Sequence, residues 1–265
     1  MVRIPPTVAD LKIQKGLGQK TMLRLTTLDE ARAAEEAQID IASVPPQLLC
    51  DPSYRAVAPG LFSMTGLAQP EAVPADDYLR FCSKMLSSGA DALYCSASMQ
   101  TVEYLAREYV PVVGHVGLVP SRATWTGGFR AVGKTAKSAI SLFRECQAYQ
   151  DAGAIAVEIE VVPEQVATEI SKRLDILLWS MGAGAGCDAQ YLFAEDILGE
   201  NRGQMPRHAR AYRSFAADYD RLQSERVSAF LEFREDVARG SFPGSNNIVQ
   251  MDPREHEAFL DGIGG

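Results

Sequence analysis

The sequence predicts an α/β fold, a closed (β/α)8 TIM barrel, on three observations. Short β-branched runs alternate with amphipathic helical stretches along most of the chain. That order implies parallel strands joined by right-handed crossovers. Seven βα units can be distinguished, and the 265 residues match the roughly 250 that such a barrel takes. An open doubly wound sheet is the alternative. No Ser/Gly-rich linker divides the chain, so a single domain is expected over residues 1–265, with a helical, loop-rich C-terminal tail.

The elements follow in order. TMLRLTT (21–27) reads as a strand, and DEARAAEEA (29–37) as a helix with acids in its first turn, where they face the positive end of the helix dipole. IDIASV (39–44) is strand-like until Pro45-Pro46 end it, and GLFSMTG (60–66) is a third strand. The helix over 74–89 opens on Pro74 and closes on Gly89. Strand 92–96 and helix 99–109 come next, then strand 110–118 and helix 135–153. AIAVEIEVV (154–162) is the sixth strand. In helix 163–174, Val166, Ile170 and Leu174 share one face. ILLWSMG (176–182) is the seventh strand, and DAQYLFAEDILG (188–199) reads as a helix. An eighth strand is then expected between Gln204 and Phe215, followed by a long charged helix over roughly 215–239.

Composition narrows the function classes. Hydrophobic residues at 46% and charged residues at 23% are ordinary globular values and exclude whole-chain disorder. A net charge of -8 argues against a general binder of nucleic acid or anionic membranes, since both need a basic face. No apolar run approaches the roughly 18 residues that cross a bilayer, and the first residues lack the apolar segment of a secretory signal. Five scattered cysteines without C-x-x-C spacing fit reduced thiols rather than a disulfide framework or a zinc site. A cytoplasmic location is therefore expected.

Two carboxylates stand out. Glu158 and Glu160 lie two apart in strand 154–162, so both take one face while Val157, Ile159 and Val161 take the other. They are expected to point into the barrel, where unpaired charge is costly. Glu160 is nearer the C-terminal strand end, where barrel enzymes do their chemistry. The plain alternative is a structural ion pair. His115 sits late in its strand between Gly114 and Gly117, and these small neighbours are expected to leave room for a ligand. GFRAVGKT (128–135) spells a phosphate-loop pattern, but the preceding strand ends about ten residues too early for that unit. GAGAG (182–186) departs from the dinucleotide pattern and reads instead as a tight turn whose amides could hold a carboxylate or phosphate.

Taken together, VPVVGHVGLVPS, GGFRAVGKT, AGAIAVEIEVVP, and GAGAGCDAQ followed by EDILG resemble the ketopantoate (3-methyl-2-oxobutanoate) hydroxymethyltransferase family, in order and spacing, over roughly residues 105–200. The resemblance implies a barrel of the phosphoenolpyruvate/pyruvate type. It implies transfer of a hydroxymethyl group from 5,10-methylenetetrahydrofolate to a 2-oxo acid, in pantothenate biosynthesis, with Mg2+ and a decamer of two stacked rings. It places the family's base on Glu160 and its GH-x-GL histidine on His115. Tyr94 and Ser96 after the fourth strand, Ser180 on the seventh, and Gly182 and Gly184 in the GAGAG turn are expected to bind substrate.

The metal positions depart from the family pattern. Pro45 stands where the family has the Asp of GDS, and Thr65 or Gly66 where it has a second Asp. Tyr94, Cys95 and Ser96 replace its K-x-E. No metal ligand is therefore assigned, although Asp51 is a candidate displaced acid. Three readings follow. The first is a hydroxymethyltransferase-like enzyme or a related 2-oxo-acid carbon–carbon bond enzyme. The second is a diverged, non-catalytic barrel that binds or assembles. The third, resting on GFRAVGKT alone, is a nucleotide hydrolase.

Overall fold

The computed structural model describes residues 3–67 and 74–264. Eight strands close into an all-parallel barrel in chain order: β1 Lys20–Arg24, β2 Ile41–Ser43, β3 Phe62–Gly66, β4 Ala92–Tyr94, β5 Val112–Gly117, β6 Ala156–Glu160, β7 Leu177–Met181 and β8 Ala189–Phe193. β1 pairs with both β2 and β8, which closes the ring. The closed barrel is thus established, and the open sheet is not.

Period-2 alternation sorts each strand into two cores. Met22, Ile41, Phe62, Met64, Ala92, Val113, Ala156, Leu177, Trp179 and Ala189 turn inward and form one apolar cluster. Leu11, from the helix Val8–Ile13, joins them. Their neighbours, including Ala42, Leu93, Val116, Val157, Ile159 and Leu178, turn outward into a larger cluster with the helices. The helix Ala136–Asp151 contributes Leu142, Cys146 and Tyr149 to it, and the helix Glu164–Arg173 contributes Ala167 and Ile170. Helix starts are set by hydroxyl caps: Thr27 forms a capping box with Glu30, and Thr135 forms one with Ser138.

One expected element is corrected. Residues 188–199 are not one helix: Ala189–Phe193 is the eighth strand, and only Ala194–Leu198 is helical. No strand lies among residues 204–215. Ala, Gln, Leu and Glu gave this stretch good helix propensity, but the open edge of β1 needs a partner, and tertiary pairing overrides a weak local preference. No helix separates β7 from β8, so Asp188 links them directly. Its carboxylate accepts from the backbone N–H of Leu178 at 2.8 Å and from Lys15 Nζ at 2.7 Å.

The chain divides into two compact units, Met1–Arg213 and Ser214–Gly265. The first holds the barrel. The second holds the helix Phe215–Arg239, close to its expected span, and the helix Pro253–Gly262.

Candidate active site

The C-terminal strand ends frame a cavity of about 580 Å³. That is within the usual range for a small-molecule site. Below it lies the apolar inner cluster. Its polar lining comes from different strands: Arg24 (β1), Ser43 (β2), Tyr94 and the following Ser96 (β4), His115 (β5), and Glu158 and Glu160 (β6).

The β5–β6 register brings three of these together. His115 pairs with Glu158 and Gly117 with Glu160, so the imidazole sits beside both carboxylates. His115 Nε2 lies 3.1 Å from Glu160 Oε2, and Nδ1 lies 2.9 Å from the Tyr94 hydroxyl and 3.8 Å from Glu158 Oε2. Burial pushes the Tyr94 pKa up, so its hydroxyl keeps its proton. In the neutral imidazole, Tyr94 then donates to Nδ1, and Nε2–H donates to the Glu160 carboxylate. Burial disfavours the imidazolium, but the Glu160 hydrogen bond and the charges of Glu158 and Glu160 outweigh it and raise the His115 pKa. For Glu158, burial dominates and pushes the carboxyl up to about 7, with His115 pulling it down, Glu160 adding to the rise and Arg24 pulling it down.

The glycines around His115 serve a different purpose from the one expected. A Cβ on Gly114 would lie 2.3 Å from the Tyr149 ring, on the outer face. Gly117 has φ +85, and a Cβ there would lie 2.3 Å from the Glu160 carbonyl oxygen. The space is taken by the protein itself. Val161, just after Glu160, adopts φ 49, which is strained for a β-branched residue. Its N–H donates to Met181 and its carbonyl accepts from Val132 N–H at 3.1 Å. The end of β6 is thereby fixed to both the next strand and the glycine-rich loop.

Of the residues expected at the site, Glu160, His115, Tyr94 and Ser96 line one cavity, together with Glu158. Ser180, Gly182 and Gly184 do not line it. Ser180 pairs with outward-facing Ile159. Its hydroxyl donates to the Gly184 carbonyl at 2.9 Å and accepts from Ala183 N–H at 3.2 Å. Glu164 accepts from the Ala185 N–H at 3.3 Å. The Ala183 and Ala185 amides are thus taken by protein partners. The GFRAVGKT segment follows the short helix Ala123–Thr126 rather than a strand, and Thr135 is committed to its helix cap. It lacks the context a phosphate loop needs.

Arg24 escaped sequence reasoning. The signal was present, since one cation interrupts TMLRLTT at its middle. The last residue of β1, it shares the inward face of Met22, and its Nη1 donates to Ser43 Oγ at 3.1 Å.

The donor set at the implied metal position does not suit magnesium. Pro45 lines the cavity but has no side-chain oxygen, and Gly66 lines it with no side chain. Thr65 is turned away, with Oγ1 donating to the Val44 carbonyl at 2.8 Å. Asp51 accepts from Ser53 N–H at 2.8 Å and does not line the cavity. Among the described residues, no group of three or more His, Cys, Asp or Glu could hold a metal ion. Magnesium demands hard oxygens in octahedral array, and the residues at the implied position do not fit it.

Comparison with known proteins agrees with the motifs. The model of the ketopantoate hydroxymethyltransferase family matches residues 71–245. A 3-methyl-2-oxobutanoate hydroxymethyltransferase of Halalkalibacterium halodurans is 38% identical over 170 residues, covering 63% of this chain and 58% of that protein. One of Cenarchaeum symbiosum is 33% identical over 186 residues, covering 69% of this chain and 68% of that protein. Against the first three relatives, the matched stretch spans from 49% to 68% of their length. Among solved structures, 2,3-dimethylmalate lyase, a PEP mutase/isocitrate lyase superfamily member, gives a TM-score of 0.51 at 13% identity, covering 100% of this chain and 97% of that one. The 3-dehydroquinate dehydratase of Geobacillus kaustophilus gives 0.50 at 15% identity, covering 79% and 93%. These two share the barrel fold. By its motifs and the extent of the family match, the chain belongs to the ketopantoate hydroxymethyltransferase family.

Proposed function

We propose that the protein is a hydroxymethyltransferase-like enzyme that forms a carbon–carbon bond next to the carbonyl of a 2-oxo acid. Its donor would be 5,10-methylenetetrahydrofolate, and the product would serve pantothenate synthesis. The observation that carries this reading is the 3.1 Å contact between His115 and Glu160 at the barrel mouth, on the two motif positions where the family places its histidine and its base. Glu160 takes the proton from the carbon beside the carbonyl, and the electron pair of that C–H bond moves onto the carbonyl oxygen as an enolate. Once Glu160 has taken the proton it no longer holds the His115 Nε2–H, which, with Tyr94 on the far nitrogen, turns to the enolate oxygen. Water adds to the donor's methylene carbon, whose two C–N bonds break to release tetrahydrofolate and leave that carbon at the aldehyde level; the enolate carbon attacks it, and the new alkoxide takes the proton held by Glu160. No step is routed through a metal, because the residues do not fit one.

A homo-oligomer, decameric by resemblance, and a cytoplasmic location belong to the same proposal. Among the described residues, no helix is long and apolar enough to cross a membrane. A second reading, a diverged barrel that binds or assembles without catalysis, is favoured by Pro45, Gly66 and Ser96 standing where carboxylates are expected.

The test is proton exchange. The protein is incubated in D2O with 3-methyl-2-oxobutanoate, and loss of the C3 hydrogen is followed by NMR; full turnover is then assayed with methylenetetrahydrofolate, each with EDTA and with Mg2+. Exchange in EDTA is expected. Neither exchange nor product under either condition would leave the non-catalytic reading in its place.

A further inference from the structure

We propose that Arg24 binds the carboxylate of the 2-oxo acid in this cavity, supplying the positive charge that the family's pattern assigns to a divalent cation. The inference rests on the 2-oxo-acid reading of the site and names the group that makes it workable without metal ligands.

A 2-oxo acid brings a carboxylate into a cavity that already holds the Glu160 carboxylate. A second anion in a partly desolvated site needs a cation. His115 is committed, 3.1 Å from Glu160 and 3.8 Å from Glu158. Arg24 is the Lys or Arg among the described cavity-lining residues. Among those residues, no ion pair within 4.0 Å joins it to Glu158 or Glu160; the hydrogen bond it makes is to the neutral Ser43 hydroxyl. A guanidinium has five N–H donors, so the fork retains donors for a ligand.

Geometry supports the same assignment. Arg24 ends β1, while His115 and Glu160 lie on β5 and β6, across the barrel from it. A small acid that reaches both has its carboxylate at Arg24 and its carbonyl and neighbouring C–H at His115 and Glu160. A planar guanidinium matches a carboxylate bidentately, and a lysine does not. The bland alternative is that Arg24 is only a distant counter-charge for Glu158. That role would affect stability but would not distinguish a carboxylate from its neutral analogue.

The experiment measures that distinction. Binding of 3-methyl-2-oxobutanoate and of 3-methylbutan-2-one, which lacks the carboxylate, is followed by ligand-observed NMR in EDTA for the full chain, Arg24→Met and Arg24→Lys. Circular dichroism checks folding. The wild type is expected to prefer the acid, and added Mg2+ to leave its affinity unchanged. Arg24→Met should weaken acid binding by about 10- to 100-fold while ketone binding stays the same. Arg24→Lys should fall between the two, and it carries the test if the Met variant does not fold. Equal acid binding by wild type and variants, or wild-type binding only with Mg2+, overturns the proposal and leaves the 2-oxo-acid reading standing. If the wild type binds no 2-oxo acid under either condition, that reading fails and the proposal falls with it.

Discussion

Glu158→Gln is expected to stabilise the protein at pH 8 and to do far less at pH 5. The Glu158 carboxyl has an ordinary value of 4.5, and burial raises it to about 7 in the folded chain. The folded state therefore holds this proton more tightly than the unfolded state, so ionisation opposes folding. The penalty is absent below the unfolded value, grows as pH rises through the window from 4.5 to about 7, and is complete above it. A shift of about 2.5 units corresponds to about 3 kcal/mol, of which about 2.5 kcal/mol develops between pH 5 and pH 8. His115 acts in the same direction. Its raised pKa contributes stability below its unfolded value of 6.5, and that contribution is lost as pH rises through the folded value. Because Glu158 helps hold the imidazolium, the two titrate together, and the Gln variant loses part of the His115 contribution too. Any cost of seating the amide is the same at both pH values and cancels in the comparison. Urea unfolding, followed by circular dichroism at pH 5 and pH 8, measures the difference. Relative to wild type, the variant's stability should improve by about 2 kcal/mol on going from pH 5 to pH 8. A change below about 0.5 kcal/mol, or of opposite sign, would refute the reasoning from burial.

Three further outcomes test the site and its frame. Glu160→Gln keeps size and hydrogen bonding but removes the base, so exchange of the substrate hydrogen should fall by about 10²–10⁴-fold with little change in the urea midpoint; full activity in this variant would end the assignment. Gly117→Ala forces a Cβ to within 2.3 Å of the Glu160 carbonyl at φ +85, and should destabilise by about 1–3 kcal/mol while slowing exchange; a silent variant in both assays would show that the β5–β6 end is not held as described. Asp188→Ala strips the partner from Lys15, whose side chain is 18% exposed, and leaves the Leu178 N–H without its acceptor; a loss of about 3 kcal/mol is expected, and an unchanged melting temperature would contradict it.

Where two residues of a strand differ sharply in character, the sequence carried the geometry. In AIAVEIEVV the charges fall two apart, and Glu158 and Glu160 face the lumen while Val157 and Ile159 face the helices. In ILLWSMG every residue can be buried, so nothing local sets which face is which. Ser180 proved to share the outer face with Leu178, while Trp179 and Met181 point inward. β8 was hidden for a related reason. Its five residues have mixed propensities, and their extended conformation is decided by pairing with β1 nearly 170 positions earlier, a contact no local window sees.

The site divides along the same line. His115 and Glu160 sit in motifs whose neighbours in sequence are their neighbours in space, because β5 and β6 pair directly. Arg24 is linked to them only by closure of the ring, and its isolation from the glutamates becomes visible only when the cavity is assembled. The charge states are likewise collective. The same cluster raises both His115 and Glu158, one through attraction to carboxylates and the other through loss of water. Below about pH 7 burial keeps Glu158 protonated, so that residue adds no negative charge to the cavity Arg24 lines. A 2-oxo-acid substrate, as proposed, would meet its countercharge in Arg24 beside a buried neutral acid, each on an inward strand position, rather than in a ring of acids around a metal.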